Sequence, residues 1–414
     1  MMTISNLHKI NLKEILLISL IILSIHFTEF KIGVVKLSEI VLLMLPPFFY
    51  TKKISKWVFY FYLLFAVWLV MSLALNQFRV FPPLKGLSVL KNPYIITVGR
   101  FLELMACINL VALVHYYLKS KTYSYIIFFV KKIVFVSFFL VILNMLFYWL
   151  VVNRIIPDSS VVYVTTSNYY RLKGWFGEGG PYGLMLSFIF VLSFFYKSPL
   201  NFYIRSFLIF NIVFLAKSKA GILLLVLWGV VYYYKTIYRK LKSLSFLVLI
   251  IGGLITLLAF AKLAEIYIDH IDNMEKYVAQ RPDDTNLIMG RIAGSHIVPK
   301  MVRDNAFFGI GLGNYPIVRN NSEYRTFIPF SPTGKTDAHG LGGLVQLLVD
   351  GGLFTLFFFL LILYLMIRKT IKLKNNMEIY FLVFPCFFLT GVQIYFLYPW
   401  VLLGILIALN ERHG

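Results

Sequence analysis

Charged residues are scarce in this sequence, and acidic residues are the scarcest. Only 14% of the 414 residues are charged, and 18 Asp and Glu stand against 40 Lys and Arg, so the formal net charge is +22. A soluble domain with 59% hydrophobic residues would leave too much apolar surface in water. The composition therefore excludes an ordinary soluble enzyme and indicates an all-α integral membrane protein.

Cysteine and the common cofactor motifs are also scarce. Cys107 and Cys386 both lie inside apolar runs, which favours core thiols over a disulfide or a metal site. The sequence has no nucleotide-binding loop, no HExxH and no paired-cysteine spacing. We expect no metal, no cofactor and no nucleotide-sugar donor. Nucleic acid is not an expected partner, because cytoplasmic loops of membrane proteins are rich in Lys and Arg.

Long apolar runs are abundant, and runs of about 20 residues match the thickness of a bilayer. The first run, 15–25, has no small-residue cleavage site, so we expect a retained helix. We predict about twelve spans, at 12–28, 32–50, 57–75, 100–118, 127–152, 180–196, 202–216, 219–234, 244–262, 339–367, 378–395 and 398–410.

Basic loops alternate along the chain and predict its orientation. They lie at 51–56, 119–132, 235–242 and 368–374, and the positive-inside rule places them in the cytoplasm. We expect a multi-pass protein of the inner membrane with both termini cytoplasmic. The predicted organisation is nine spans in 1–262, a large periplasmic loop at 263–338 and three spans in 339–414.

The large loop carries two amphipathic helical patterns. In the first, apolar residues that include Met274, Tyr277 and Val278 recur at helical spacing. The second begins at Asp284 or Thr285 and runs to about Arg303, with a kink expected at Pro299. The loop is therefore predicted to be partly helical.

Basic residues on the outer side are informative because the topology does not require them. Spans six, eight and ten start at that face, so their free N–H groups and positive dipole ends point there. Together with flanking bases this arrangement suits an anion, most naturally a diphosphate. Contact with lipid phosphates is the alternative for each residue. The bases are Arg171, Lys173, Lys217, Lys219, Arg291, Arg303, Arg319, Arg325 and Lys335.

His339 is a candidate general base, although a lone histidine is more often structural. Asp337 can cap the tenth span, which leaves His339 in the first turn, where the dipole favours neutral imidazole. Gln346 and Asp350 return to the same helical face. Asp350 lies about 16 Å deeper, so we expect it to line a cavity or to pack helices.

Two acidic residues on other segments are further candidates. Glu178 precedes Pro181 at the start of the sixth span, where it can orient Arg171 or favour the helix dipole. Arg100 and Glu103 form an i,i+3 pair within the fourth span. An ionisable pair inside a membrane is a functional candidate, and a structural ion pair is the alternative.

Four segments and their order resemble the bacterial O-antigen polymerase and O-antigen ligase superfamily. The resemblance covers about 165 to 410. The segments are RLKGWFGEGGPYGLML (171–186), FLAKSKAGILLLVL (214–227), GRIAGSHIVPKMVRDNAFFGIGLGNY (290–315) and DAHGLGGLVQLLVDGGLFTLFFFL (337–360). This chain departs from the family pattern in Gly179-Gly180 after Glu178, in Lys219 where Arg is usual, and in Gly340 after His339.

The resemblance implies a GT-C-like membrane glycosyltransferase that uses undecaprenyl-diphosphate-linked glycans without metal. It assigns the diphosphate to Arg171, Lys219 and Arg291, with help from Lys217, Arg303 and Arg319, and the acceptor hydroxyl to His339 as base or positioning group. The Glu178 turn favours a polymerase over a ligase. A lipid-linked oligosaccharide flippase or other transporter is the alternative from another class. Expected partners are the lipid-linked oligosaccharide, membrane lipids, a chain-length regulator and a flippase.

Overall fold

The computed structural model describes most of the chain, and its regular structure is almost entirely helical. Described are residues 12–28, 31–32, 35–82, 92–157, 163–166, 169–243, 258, 261–262, 265, 268–269, 272–281, 290–330, 339–372 and 377–412. Strands occur there only in two antiparallel hairpins, which pair Lys31–Ile32 with Val35–Lys36 and Tyr163–Thr166 with Tyr169–Leu172.

Five of the described helices are long and apolar enough to cross a membrane: Lys56–Phe78, Pro93–Leu118, Tyr123–Val152, Lys219–Lys240 and Gly343–Lys372. Shorter apolar helices or helical segments span Leu12–His26, Gly179–Phe195, Asn201–Leu215, Glu378–Leu389 and Leu397–Glu411. The remaining described α-helices are Leu37–Leu43, Met274–Gln280, Arg291–Asp304, Tyr315–Val318 and Ser322–Arg325, and a 3-10 helix spans Pro47–Phe49. The prediction of several membrane helices is confirmed.

Two predicted spans need comment. The stretch 32–50 holds an α-helix of only seven residues, because a hairpin precedes it and Pro46-Pro47 follow its end. The span at 244–262 lies almost wholly outside the described residues. The number of twelve spans and the orientation in the membrane stay predictions.

The chain forms two compact units. The first unit comprises 1–59, 105–226 and 366–414, and the second comprises 60–104 and 227–365. The core of the first unit is the helix Leu397–Glu411, whose residues from Leu397 to Asn410 are buried. At the end of this helix the Glu411 carboxylate accepts hydrogen bonds from Ser55 Oγ at 2.5 Å and, through the other oxygen, contacts His115 Nε2 at 2.8 Å.

The second unit contains the large loop, which has an apolar core of its own. Met274 and Val278 are buried there, as their helical spacing predicted. The loop helix, Arg291–Asp304, contributes Ala293, Ile297, Val298 and Met301 to the same cluster. Val349 of the helix Gly343–Lys372 is also a member, so the loop core continues onto that helix.

Candidate functional site

His339 lies in a tight turn just before the helix Gly343–Lys372. The turn needs glycine, because Gly340 and Gly342 have φ of +71° and +98°, a region that side chains disfavour. Within the turn, the backbone N–H of Leu341 donates to His339 Nδ1 at 3.0 Å. The ring is buried, and burial lowers the pKa of His339 to about 4. His339 is therefore neutral at physiological pH, as a general base requires.

The loop helix packs its first turn directly on this histidine. A Cβ on Gly294 would lie 2.5 Å from the His339 carbonyl oxygen, so only glycine allows the approach. A Cβ on Gly340 would lie 2.7 Å from Arg291 Cγ, so the Arg291 side chain passes over the turn. The structure thus brings together Arg291 and His339, which the sequence places almost 50 residues apart.

Tyr315 and Arg319 complete the surroundings of His339. The Tyr315 ring meets the imidazole edge to face, with centroids 5.2 Å apart. Arg319 is only 3% exposed, and its guanidinium carbon lies 6.0 Å from the centre of the Tyr315 ring. Burial lowers the pKa of the Arg319 guanidinium, and Tyr315 opposes that shift. Arg303 differs from these residues, because it is exposed and pairs with Asp304 at 2.9 Å.

The segment that leads to Tyr315 is inserted into a break in the helix Gly343–Lys372. We call residues 305–314 the clamp segment. Its Ile310 and Gly311 N–H groups donate to the carbonyls of Val349 and Asp350, each at 2.9 Å. Beyond the break, Leu353 N–H donates to Ala306 O at 2.8 Å and Phe354 N–H to Phe307 O at 3.1 Å. Gly352 has φ +68° at this point. The clamp segment thus replaces hydrogen bonds that the helix loses.

Side chains of three spanning helices hold the clamp segment in place. Asp350 Oδ2 accepts from Gly313 N–H at 3.1 Å, and Ser72 Oγ accepts from Leu312 N–H at 2.9 Å. Thr97 Oγ1 donates to Leu312 O at 3.0 Å. Asp350 therefore packs elements together, in agreement with its predicted structural role.

The ion pair of Arg100 and Glu103 lies beside this segment. The pair is formed in the helix Pro93–Leu118, with Arg100 Nη1 2.5 Å from Glu103 Oε2. A Cβ on Gly313 would lie 2.6 Å from Arg100 Cγ, so the Arg100 side chain covers the clamp segment. These contacts favour the structural alternative for the pair.

In the first unit, the Arg171 side chain hydrogen-bonds to the turn around Lys217. Its Nε donates to Ala216 O at 3.1 Å, and Nη2 donates to Lys217 O at 3.3 Å. Arg171 itself lies on the strand Tyr169–Leu172. The hairpin, the start of the helix Gly179–Leu192 and the turn at Lys217 therefore form one cluster in this unit.

The turn 216–218 is strained and tightly packed. Lys217 has φ +49°, unusual for a residue with a side chain. Ser218 Oγ accepts from Gly221 N–H at 3.0 Å and so caps the helix that begins at Lys219. A Cβ on Gly183 would lie 2.2 Å from Ser218 Cβ, so this cap sits against the helix Gly179–Leu192. Lys217 and Lys219 themselves are exposed.

Glu178 is the N-cap residue of the helix Gly179–Leu192. Its side chain makes no capping hydrogen bond there and is exposed. Its neighbour Gly179 is close to Arg171, since a Cβ on it would lie 3.3 Å from Arg171 Nε. Glu178 therefore belongs to the cluster of Arg171 by position. Asp337, the predicted cap of the tenth span, lies outside the described residues, and so does Lys335.

Sequence reasoning missed the clamp segment as a structural element. Its signal was present in Gly309-Ile310-Gly311-Leu312-Gly313-Asn314, where three glycines have positive φ, and in the polar residues of the spans that contact it. Those residues include Ser72, Asn76 and Thr97, each of which could pass for an ordinary polar residue on a spanning helix. Glycines close together in a loop are typical of a turn, but they do not show which segment the turn contacts.

The long apolar helices and the buried polar turns between them define a multi-pass membrane protein. Residues 204–360 match the family model described as O-antigen ligase. This match confirms the predicted relation to the O-antigen polymerase and ligase superfamily. It includes Lys217, Lys219, Arg291 and His339, whereas Arg171 and Glu178 lie before it. A search of the curated proteins finds no match.

Proposed function

We propose that the protein is a surface-polysaccharide polymerase that transfers a growing glycan from undecaprenyl diphosphate to a lipid-linked repeat unit at the periplasmic face. The observation that carries the proposal is the packing of the loop helix on the turn of His339, which brings Arg291 beside a buried neutral imidazole. Both residues lie within the family match. The Glu178 turn supports the polymerase over the ligase.

The reaction is a displacement at the anomeric carbon of the donor glycan. A hydroxyl oxygen of the acceptor forms the new bond to that carbon, while the bond from the carbon to the diphosphate oxygen breaks. The electron pair stays on the departing diphosphate, and the hydroxyl proton leaves to a base. A single displacement inverts the configuration. Neutralising the charge that develops on the diphosphate lowers the barrier, without need of a metal ion.

The cationic residues are assigned to that diphosphate. The proposed set is the one that the sequence predicts: Arg171, Lys217, Lys219, Arg291, Arg303 and Arg319. Arg303 is the weakest member of the set, since it is exposed and paired with Asp304. Glu178 belongs to the same proposal as a group that orients Arg171 or a sugar hydroxyl.

The test is transfer by the purified protein in liposomes. We expect undecaprenyl-diphosphate-linked repeat units to be joined into longer glycans, and His339→Ala to abolish the reaction. The matched control is Lys262→Ala, which removes an exposed base that pairs with Glu265. Failure of the wild-type protein to lengthen the glycan, with all of the lipid-linked substrate intact, would overturn the proposal.

The ligase is the second candidate, because the matching family model bears that description. A ligase would move the same glycan onto lipid A-core instead of onto another repeat unit. Deletion of the gene separates the two, since loss of a polymerase leaves a single repeat on the surface and loss of a ligase leaves bare core. Adding lipid A-core to the liposomes asks the same question in vitro.

A further inference from the structure

We infer that His339 acts as a hydrogen-bond donor through its Nε2–H group, and that its partner is a phosphate oxygen of the substrate. The ring is then part of the anion site and not the base that removes the acceptor proton. The identity of the anion as a diphosphate rests on the proposed function, whereas the donor role rests on the geometry of the turn.

The first step concerns Nδ1. This nitrogen accepts the backbone N–H of Leu341 at 3.0 Å, so it carries a lone pair and no proton. A neutral imidazole has one proton, which must then be on the other nitrogen, Nε2. The turn fixes this tautomer, because the positive φ angles of Gly340 and Gly342 bring the Leu341 N–H back toward the ring of His339.

The second step concerns Nε2. His339 is 3% exposed, and Nε2 has no hydrogen-bond partner among the residues that the structure describes. A buried N–H group without an acceptor is costly, so such groups are usually satisfied. Burial also keeps the ring neutral, since the pKa of His339 falls to about 4. Among the described residues, the Nε2–H group is therefore a buried donor without an acceptor.

The third step concerns the kind of acceptor. The Arg291 side chain passes over Gly340, and the loop helix starts at Arg291, so its first N–H groups and its positive dipole end lie beside the turn. The buried guanidinium of Arg319 lies near Tyr315, which contacts the imidazole. Several donors with positive charge suit an oxygen that carries negative charge, and a phosphate oxygen has this chemistry.

This role has a consequence for the transfer reaction. To accept a proton at Nε2, the ring would first have to carry its own proton on Nδ1, which gives up the Leu341 N–H, and it would then become cationic in a buried site. The acceptor hydroxyl proton is therefore taken up by an oxygen of the departing diphosphate, which gains the electron pair of the broken bond, and not by His339. The imidazole contributes instead by holding the diphosphate as its charge grows, as Arg291 does.

The tautomer can be measured directly. The full-length protein, labelled with ¹⁵N-histidine and placed in lipid nanodiscs, has seven histidines, and the His339 signals are those missing from His339→Gln. At pH 7 we expect the ¹⁵N shift of a protonated Nε2 and an unprotonated Nδ1. Protonation of Nδ1 would overturn the inference.

Binding of inorganic diphosphate gives a second test that needs no glycan transfer. Gln reaches the position of Nε2 with an N–H donor, whereas Asn keeps an acceptor for Leu341 N–H but is too short to donate at that point. Glu reaches it with a negative charge. We expect His339→Gln to bind within a few-fold of the wild type, and Asn and Glu to lose at least about tenfold.

Equal losses in the Gln and Asn variants, or tight binding by Glu, would overturn the donor role. The thermal midpoint of each variant shows whether the turn is intact. Failure of the proposed function would appear in the transfer assay. The wild-type protein would then bind diphosphate through His339 but would not transfer glycan. The two proposals therefore fail in different experiments.

Discussion

At the scale of single residues, the site depends on two glycines, because their missing side chains leave room for neighbouring groups. Gly294 allows the loop helix to touch the His339 backbone, and Gly340 allows Arg291 to cross the turn. Neither role can be recognised from the sequence alone, since both contacts join segments distant in the chain. At both positions the missing side chain allows close contact, and at Gly340 it also permits the positive φ of the turn.

We predict that Gly294→Ala displaces His339 and lowers glycan transfer. The new Cβ would lie 2.5 Å from the His339 carbonyl oxygen and 3.1 Å from its Cβ, and a backbone atom cannot rotate away as a side chain can. A displacement of this kind costs about 100-fold in rate. Gly99→Ala is the matched control, because its Cβ would meet no atom within 4 Å. Equal rates in the two variants would contradict the prediction.

Burial of His339 also makes stability depend on pH. Its pKa falls from 6.5 to about 4 on folding, so between these values the unfolded chain binds a proton that the folded chain does not. Because the unfolded state then binds more protons, the free energy of unfolding decreases as the pH falls through this range, by about 3 kcal/mol in total. At and above pH 7 this effect is absent.

Thermal unfolding at several pH values checks this expectation. The decrease in stability between pH 6.5 and pH 4 should be smaller in His339→Gln, which has no titrating group at this position, than in the wild type. Other histidines titrate alike in both proteins, so the difference reports His339. Identical pH dependence in the two proteins would show that this imidazole does not stay neutral on folding.

At the scale of elements, the break in the helix Gly343–Lys372 is the central feature of the second unit. The sequence predicted this span, yet the break and its partner could not be predicted. Asp350-Gly351-Gly352 is compatible with an ordinary tightly packed helix. Only the hydrogen bonds to the clamp segment show that the helix is interrupted and where the lost hydrogen bonds go.

We predict that Gly352→Ala strongly destabilises the protein. Its Cβ would lie 2.2 Å from Phe307 O, and the residue has φ +68°, where a side chain is strained. The combined cost is on the order of 3 kcal/mol. Denaturant unfolding in detergent should show this loss, while Gly229→Ala, which meets no atom within 4 Å, should unfold like the wild type. If Gly352→Ala unfolded at the same denaturant concentration as the wild type, the clamp segment would not be inserted into a break at this residue.

Asp350 offers a milder test of the same element. Asp350→Ala removes the acceptor of the Gly313 N–H and leaves that donor buried, at a cost of about 1 to 3 kcal/mol. Asp350→Asn keeps an acceptor oxygen and should lose less. We expect the order wild type, Asn, Ala in unfolding midpoints. If Ala were as stable as Asn, the hydrogen bond to Gly313 would not support the clamp segment.

At the scale of the whole molecule, the membrane class and most helix positions could be predicted, because long apolar runs leave few alternatives. The helices at Lys56–Phe78, Pro93–Leu118 and Tyr123–Val152 begin and end within a few residues of their predicted spans, apart from the earlier start of the second. The stretch 32–50 was predicted less well, since hydropathy does not register a hairpin or the stop at Pro46. Contacts between segments that are distant in the chain could not be predicted from sequence patterns.

The predicted orientation can be tested by cysteine labelling of intact spheroplasts. In a variant without Cys107 and Cys386, Glu323→Cys should react with a membrane-impermeant maleimide, because the large loop is expected outside. Arg239→Cys, in the basic segment 235–242 that is predicted to be cytoplasmic, should react only after lysis. Both side chains are exposed, so access to the reagent depends on the membrane alone. The reverse pattern would place the candidate site in the cytoplasm.

The clamp segment also bears on how the chain is made. Residues 305–314 leave the ribosome before Val349–Phe354, so several peptide groups of the earlier stretch wait for partners that have yet to be synthesised. A nascent chain that stops between these two stretches would leave those peptide groups without hydrogen-bond partners at the membrane. Insertion of the later helix and maturation of the earlier loop are therefore a single assembly event, and premature stop codons just before Val349 should yield chains marked for degradation.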